Sequence, residues 1–104
     1  MAKQINDNNF ESEVLQNEGV VVVDFYADWC MPCKMLAPVI EEIEGELKEA
    51  KFVKINVDDS PVTANTYRVA SIPTIKIFKN GELKDSKVGF NPKEVIKEAI
   101  EEVL

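Results

Sequence analysis

The spacing of apolar and polar residues varies along this chain, and it distinguishes predicted strands from predicted helices. Residues 20–26, VVVVDFY, form a nearly continuous apolar run, which is typical of a strand buried on both faces. Residues 52–57 alternate instead, which predicts a second long strand. With a short extended segment around residues 4–6, the earlier part of the chain is predicted to supply three strands.

A tight turn separates two further strands near the end of the chain. Residues 74–79 and 82–88 have strand character, and Asn80-Gly81 stands between them. Asn-Gly at this position is a strong signal for a two-residue hairpin. The two strands are therefore predicted to be antiparallel neighbours.

Two helices are predicted in the first half of the chain. A helix near the N-terminus, with Asn8 or Asn9 as its N-cap, is expected to end at Gly19. A longer one follows the first long strand and is expected to start near Cys33 or just before it. Its apolar positions are 35, 36, 39, 40, 43 and 47.

Two further helices are predicted from their start signals. Ser60 followed by Pro61 is an N-cap with proline at the first helical position, and this helix is expected to run through about Tyr67. The sequence NPKE at 91–94 opens the last helix, with Asn91 as its predicted N-cap. Its apolar face consists of Val95, Ile96, Ala99, Ile100 and Val103.

The predicted order of elements is β-α-β-α-β-α-β-β-α, which defines an α/β protein. Helices between the early strands imply parallel crossovers, and the final hairpin adds antiparallel strands. A chain of 104 residues without repeats or linkers is expected to form one domain, residues 1–104. We therefore expect a single mixed sheet covered by helices.

The charge of the chain limits its partners. Twelve basic and nineteen acidic residues give a net charge of -7, which argues against binding nucleic acid by neutralising phosphates. No apolar stretch approaches the length of a membrane span, and the N-terminal residues lack a secretory signal pattern. We therefore expect an intracellular protein that binds neither nucleic acid nor membrane.

The segment WCMPCK contains both cysteines of the chain, Cys30 and Cys33. A structural zinc site normally needs four ligands, and the chain has no histidine, so no metal is expected unless two chains share one. A structural disulfide that closes so small a loop would gain little chain entropy. The remaining interpretation is a redox-active dithiol.

The helix predicted near this segment gives the two sulfurs different roles. Its N-terminal N–H groups and dipole favour a thiolate at Cys30, and Pro32 fits its first turn. Cys30 is expected to face outward and Cys33 to lie deeper. We therefore expect Cys30 to attack a substrate disulfide and Cys33 to resolve the mixed disulfide.

The stretch VVVDFYADWCMPCKMLAP closely resembles the active-site segment of the thioredoxin family, and KINVDDSP, ASIPTIKIFKNGE and KVGF follow in that family's order and spacing. The resemblance implies the thioredoxin fold, a five-stranded mixed sheet flanked by four helices. It also implies a cytoplasmic, monomeric protein-disulfide reductase that acts on disulfide-containing proteins, is recharged by a thioredoxin reductase and needs no tightly bound cofactor.

The resemblance also assigns roles near the cysteines. Asp24 resembles the family's buried carboxylate, which exchanges a proton with the resolving thiol, here Cys33; the alternative is that Asp24 caps a backbone group. An acid in an apolar strand favours the functional role, because its burial is unfavourable without a partner or a task. Lys54 resembles the lysine that accompanies this acid, although it could equally be a solvated strand lysine.

Five further residues resemble the walls of the family's substrate groove. Pro73 resembles its cis-proline, which presents the backbone of Ile72 to a substrate chain. Trp29 would shield Cys30, and Gly89 with Phe90 would frame the groove. Simpler alternatives are packing for Trp29 and Phe90 and a turn for Gly89.

The chain departs from the family's commonest pattern at Met31, where glycine is usual, and at Tyr26, where tryptophan is frequent. Residues between the cysteines, here Met31 and Pro32, tune the stability of the thiolate and the disulfide. Two other functions stay open. One is a disulfide oxidase or isomerase, and the other is a binding module that serves as an assembly subunit.

Overall fold

The computed structural model describes residues 2–104, in which five strands form one mixed sheet. The strand order is β1-β3-β2-β4-β5. β3 pairs in parallel with β1 and β2, whereas β4 pairs antiparallel with both β2 and β5. The strands are β1 (Lys3–Ile5), β2 (Val20–Tyr26), β3 (Lys51–Asn56), β4 (Thr74–Lys79) and β5 (Glu82–Val88). The five-stranded mixed sheet implied by the resemblance is thus confirmed.

Four helical segments flank the sheet within the described residues. They are a π-helical turn (Glu11–Leu15), α1 (Met31–Glu46), α2 (Pro61–Thr66) and α3 (Lys93–Glu101). The first is shorter than predicted and ends before Gly19; in it the N–H of Gln16 donates to the carbonyl of Glu11 at 2.9 Å. Among residues 2–104, no helix has the length and apolarity needed to cross a membrane.

Helix α1 begins at Met31, just before Cys33 as predicted. Cys30 is its N-cap, with the extended backbone angles φ -86° and ψ 106°, and Met31 and Pro32 form its first turn. Proline is tolerated there because the first helical N–H groups have no intrahelical partner. The helix therefore starts directly at the cysteine pair.

The predicted N-cap of α2 is replaced by a distant residue. Ser60 makes no capping hydrogen bond through its side chain. The carboxylate of Asp7 instead accepts the N–H groups of Val62 at 3.2 Å and Thr63 at 2.8 Å. These donors lie 55 and 56 residues further along the chain, so the cap ties the loop after β1 to α2.

The other two predicted side-chain caps are also absent. The side chain of Asn9 accepts the N–H of Asn6 at 2.8 Å, and Phe10 occupies the cap position of the π-helical turn. Asn91 donates to the carbonyls of Val88 and Gly89, both at 3.2 Å, and thereby stabilises the loop before α3.

The sheet separates two hydrophobic cores. One lies under α1 and α3, and the other lies under the π-helical turn and the residues that follow α2. The first contains Val20, Val22, Leu36, Ile40, Ile43, Leu47, Phe52, Ile75, Ile77, Ile96, Ala99 and Ile100. The second contains Ile5, Phe10, Val14, Val21, Val23, Phe25, Val53, Ile55 and Phe78. Strand β2 contributes to both cores, which explains its continuous apolar run.

The β4–β5 hairpin is joined by the predicted turn, and this turn is fixed against the start of β2. Asn80 and Gly81 have φ of 52° and 81°, as a type I′ turn requires. The N–H of Gly19 donates to the Asn80 side chain at 2.7 Å, and the N–H of Asn80 donates to the carbonyl of Gly19 at 2.9 Å. A Cβ atom at Gly81 would lie 2.2 Å from the carbonyl oxygen of Leu15, so only glycine fits.

We expect Gly81→Ala to lower the free energy of unfolding by about 2 kcal/mol or more, because alanine is strained at positive φ and its methyl group collides with backbone. Urea unfolding measures the change. Gly45→Ala is the matched control, since nothing lies within 4 Å of a Cβ at this α1 position. The control should be neutral or stabilising by up to ~1 kcal/mol; equal effects at the two glycines would contradict the steric explanation.

Candidate functional site

The two cysteines are joined as a disulfide at the junction of β2 and α1. Their Cα atoms are 5.2 Å apart. The N–H of Cys33 donates to the sulfur of Cys30 at 3.2 Å, so this sulfur acts as the N-cap of α1. Helix N-termini stabilise negative charge, and this geometry favours a thiolate at Cys30 after reduction.

Burial does not separate the two sulfurs in the way that the sequence predicts. Cys30 is 3% exposed and Cys33 is 5% exposed, so Cys30 does not face outward more than its partner. Their surroundings differ instead. Cys30 has the exposed residues Trp29 and Met31 as its chain neighbours, whereas Cys33 lines a cavity that is partly open to solvent.

This cavity connects Cys33 with the predicted acid and lysine. It has a volume of about 170 Å³. Asp24 on β2 and Lys54 on β3 are register partners and both line it. The other lining residues are Tyr26, Ala27, Asp28, Lys34 and Ala37. Asp24, Lys54 and Cys33 thus line the same cavity.

Asp24 is a buried acid with an unsatisfied oxygen. Its side-chain atom Oδ1 has no hydrogen-bond partner, so the alternative of a backbone cap gains no support from this atom. Burial raises the pKa of Asp24 to about 7, and the positive charge of Lys54 opposes this shift only in part. The carboxyl can therefore gain and lose a proton near neutral pH.

The loop before β4 packs against the cysteine cluster and contacts the loop that follows β5. The Ile72–Pro73 peptide bond is cis, and Ile72 packs against the buried cluster that contains both cysteines. The N–H of Gly89 donates to the carbonyl of Pro73 at 2.8 Å. Gly89 has φ 81°, and the adjacent Phe90 is 48% exposed. Ile72 thus lies against the cysteine cluster, and Gly89 is bonded to the adjacent Pro73.

Trp29 is 71% exposed, which contradicts a packing role. Its indole N–H donates to a carboxylate oxygen of Asp58 at 2.8 Å. The sequence reasoning missed Asp58, although it lies in the quoted motif KINVDDSP. Met31 is 65% exposed and Pro32 is also exposed, so both residues between the cysteines face solvent.

A disulfide that caps a helix, next to a buried acid and a cis-proline loop, defines a thiol–disulfide oxidoreductase. A family model described as Thioredoxin matches residues 1–102, and the chain belongs to the thioredoxin family.

Relatives that carry the name thioredoxin are similar over nearly the whole chain. The chain is 50% identical to the protein of Rickettsia felis over 94 residues, which cover 89% of this chain and 90% of the relative. It is 48% identical to the protein of Listeria monocytogenes over 101 residues, or 96% of each chain. The fold, the cysteine pair and these relatives together make the chain a protein-disulfide reductase.

We expect Asp24→Asn to stabilise the oxidised protein at pH 8. Because the pKa of Asp24 is raised from its ordinary value of 3.8 to about 7, the native state holds the proton more tightly than the unfolded chain. Its contribution to stability is complete below pH 4 and is lost as pH rises towards 7. The loss is on the order of 4 kcal/mol at most.

Urea unfolding of the oxidised parent and the Asp24→Asn variant at pH 4 and pH 8 tests this expectation. The gain in unfolding free energy should be large at pH 8 and small at pH 4. A gain that is the same at both pH values would show that Asp24 does not hold a proton in the folded protein.

Proposed function

We propose that Cys30 is the attacking sulfur of this reductase and that Cys33 is the resolving sulfur. The observation that carries this assignment is the hydrogen bond from the N–H of Cys33 to the sulfur of Cys30. It places the Cys30 sulfur at the positive end of α1, where a thiolate is stabilised. Cys33 lies instead beside Asp24, which can take its proton.

The reaction moves two electrons from the dithiol to the substrate. The Cys30 thiolate attacks one sulfur of a substrate disulfide, whose bond breaks, and the other substrate sulfur leaves as a thiolate that takes a proton from water. Cys33 then gives its proton to the Asp24 carboxylate and attacks the sulfur of Cys30. The mixed disulfide breaks, its substrate sulfur leaves as a thiolate that takes a proton from water, and Cys30 and Cys33 are joined as the disulfide.

Asp24 is proposed as the proton acceptor for Cys33, and Lys54 as the cation that modulates it. Two observations support these roles. The carboxyl lines the same cavity as Cys33, and its pKa of about 7 lets it accept and return a proton at neutral pH. Lys54 supplies the positive charge that opposes the effect of burial on Asp24.

We assign the substrate groove to the surface around Ile72 and the cis Pro73. The packing of Ile72 on the cysteine cluster supports this assignment, because a substrate backbone that pairs there would bring its disulfide to Cys30. Trp29, Gly89 and Phe90 are proposed as its walls. Exposed aromatic side chains supply apolar contact surface for a protein partner.

We further propose a thioredoxin reductase as the electron donor of this chain. The donor returns the disulfide to the dithiol, so the chain itself needs no bound cofactor. A cysteine pair that must be kept reduced fits the cytoplasm. One sheet shared by both cores supports a single domain, and we propose that it works as a monomer.

We expect Cys33→Ser to accumulate a covalent complex with a disulfide-containing protein, because Cys30 can still attack while nothing resolves the mixed disulfide. Non-reducing electrophoresis and mass spectrometry measure the complex. Cys30→Ser is the matched control and should form none. If only Cys30→Ser forms the complex, the two roles must be exchanged; if neither variant does, the reductase mechanism fails.

We expect Met31→Gly to retain reductase activity and to shift the thiol–disulfide equilibrium with glutathione towards the dithiol. Met31 directly follows Cys30, and its loss exposes the thiolate to more water. The change should stay within about tenfold in the equilibrium constant, or ~30 mV.

Titration of parent and variant against defined glutathione buffers measures both reduction potentials. An unchanged equilibrium would remove Met31 from the residues that tune the site. A parent potential well above that of the glutathione pool would favour the oxidase or isomerase function over the reductase.

A further inference from the structure

Lys54 does not pair with the acid next to it. Lys54 and Asp24 are register partners on neighbouring strands and line the same cavity. In the described part of the chain, however, no ion pair joins them, and Asp24 Oδ1 stays without a hydrogen-bond partner. The Lys54 ammonium lies instead over the ring of Tyr26, with Nζ 5.7 Å from the ring centroid.

The ring that attracts Lys54 is held on two sides. The hydroxyl group of Tyr26 donates to the side-chain oxygen of Gln4 at 2.7 Å, which ties the end of β2 to β1. The side chain also packs against the cluster that contains Cys30 and Cys33. Burial raises the pKa of the Tyr26 hydroxyl, so it remains a neutral donor. Tyr26 is thus a fixed element, whereas the lysine stem is flexible.

We propose that Tyr26 is a positioning residue of the redox site, whose ring holds the Lys54 ammonium away from the Asp24 carboxyl. A ring face attracts an ammonium group, and this attraction can decide between two positions of one flexible side chain. The proposal rests on the role of Asp24 as the proton acceptor for Cys33.

The charges around Asp24 explain why the position of Lys54 matters. The charged or titratable side chains that line the cavities beside Asp24 belong to Tyr26, Asp28, Cys33, Lys34, Glu41 and Lys54. The β4 neighbour of Asp24 is the uncharged Ile75. Among these groups, Lys54 is the one whose charge lowers the pKa of Asp24.

A lysine at ion-pair distance would change the chemistry of the acid. An opposite charge within about 4–6 Å lowers a carboxyl pKa by roughly one to three pH units. Asp24 would then stay ionised at neutral pH and would be a poor proton acceptor for the Cys33 thiol. By holding Lys54 back, Tyr26 keeps Asp24 able to exchange protons where the reaction runs.

The test is a ¹³C NMR titration of the Asp24 carboxyl in the oxidised protein, where the disulfide removes both thiols from the titration. In Tyr26→Leu we expect the pKa of Asp24 to fall by about one pH unit, because Lys54 is free to approach. Tyr26→Phe keeps the ring and should leave the pKa near that of the parent. Equal values in the Leu and Phe variants would overturn the proposal.

Water that enters after loss of the ring would also lower the pKa of Asp24, and a double-mutant cycle separates the two causes. In a Lys54→Met background, Tyr26→Leu should no longer lower this pKa. A decrease of the same size in that background would assign the effect to water and would overturn the proposal.

The unchanged protein provides a test that does not require Tyr26→Leu to fold. If the ring holds the ammonium, the ring current of Tyr26 should shift the Lys54 Hε protons upfield. Hε protons without this upfield shift would overturn the proposal. None of these measurements involves turnover. If the Cys33→Ser complex fails to form, the proposed mechanism is rejected and the NMR results on Tyr26 and Lys54 stand. If the NMR results fail, the proposed mechanism is not affected.

Discussion

The direct passage from the central strand β2 into α1 is the constraint on which the site depends. β2 lies between β3 and β4, so its carboxyl end is enclosed by parallel and antiparallel neighbours. Only four residues separate Tyr26 from the first residue of α1. The helix N-terminus must therefore lie close to the end of the strand. This one connection places the cysteine pair next to the buried acid and next to the cis-proline loop.

The position of α1 is maintained from its other end by α3. Lys93 donates to Glu42 at 2.5 Å and to Glu46 at 2.6 Å, and Lys97 forms an ion pair with Glu46 at 2.9 Å. These exposed pairs individually contribute little to stability. As a connected set at the far end of the helix, they add to the apolar contacts that α1 and α3 share beneath them. The geometry at the cysteines thus relies on packing along the whole helix.

Much of the fold could be read from the sequence because the signals were local. The apolar run of β2 and the Asn80-Gly81 turn each specify their structure within a few residues, and both predictions are confirmed. The caps were not predictable in this way. Asp7 caps α2 from a distant part of the chain, and no local pattern at Ser60 indicates that its role is taken by another residue.

In the site, too, features with a local sequence signal were predictable and features that depend on distant contacts were not. The cysteine motif was visible in six consecutive residues, and the cis Pro73 followed only from the family resemblance. The interaction of Lys54 with Tyr26, and the equal burial of the two sulfurs, depend on how β1, β2 and β3 pack against α1. Sequence reasoning could name Lys54 but could not locate its ammonium, because a long flexible side chain has several positions of similar energy.

The reciprocal hydrogen bonds between Asn80 and Gly19 have a consequence for engineering. A two-residue hairpin tip is the kind of place where a peptide tag or a loop is commonly inserted. Here both hydrogen bonds of that contact join segments 61 residues apart in the chain, and the tip lies directly over the π-helical turn. A graft at this tip would have to break the contact that joins the end of β4 to the start of β2, so the turn is a poor insertion site.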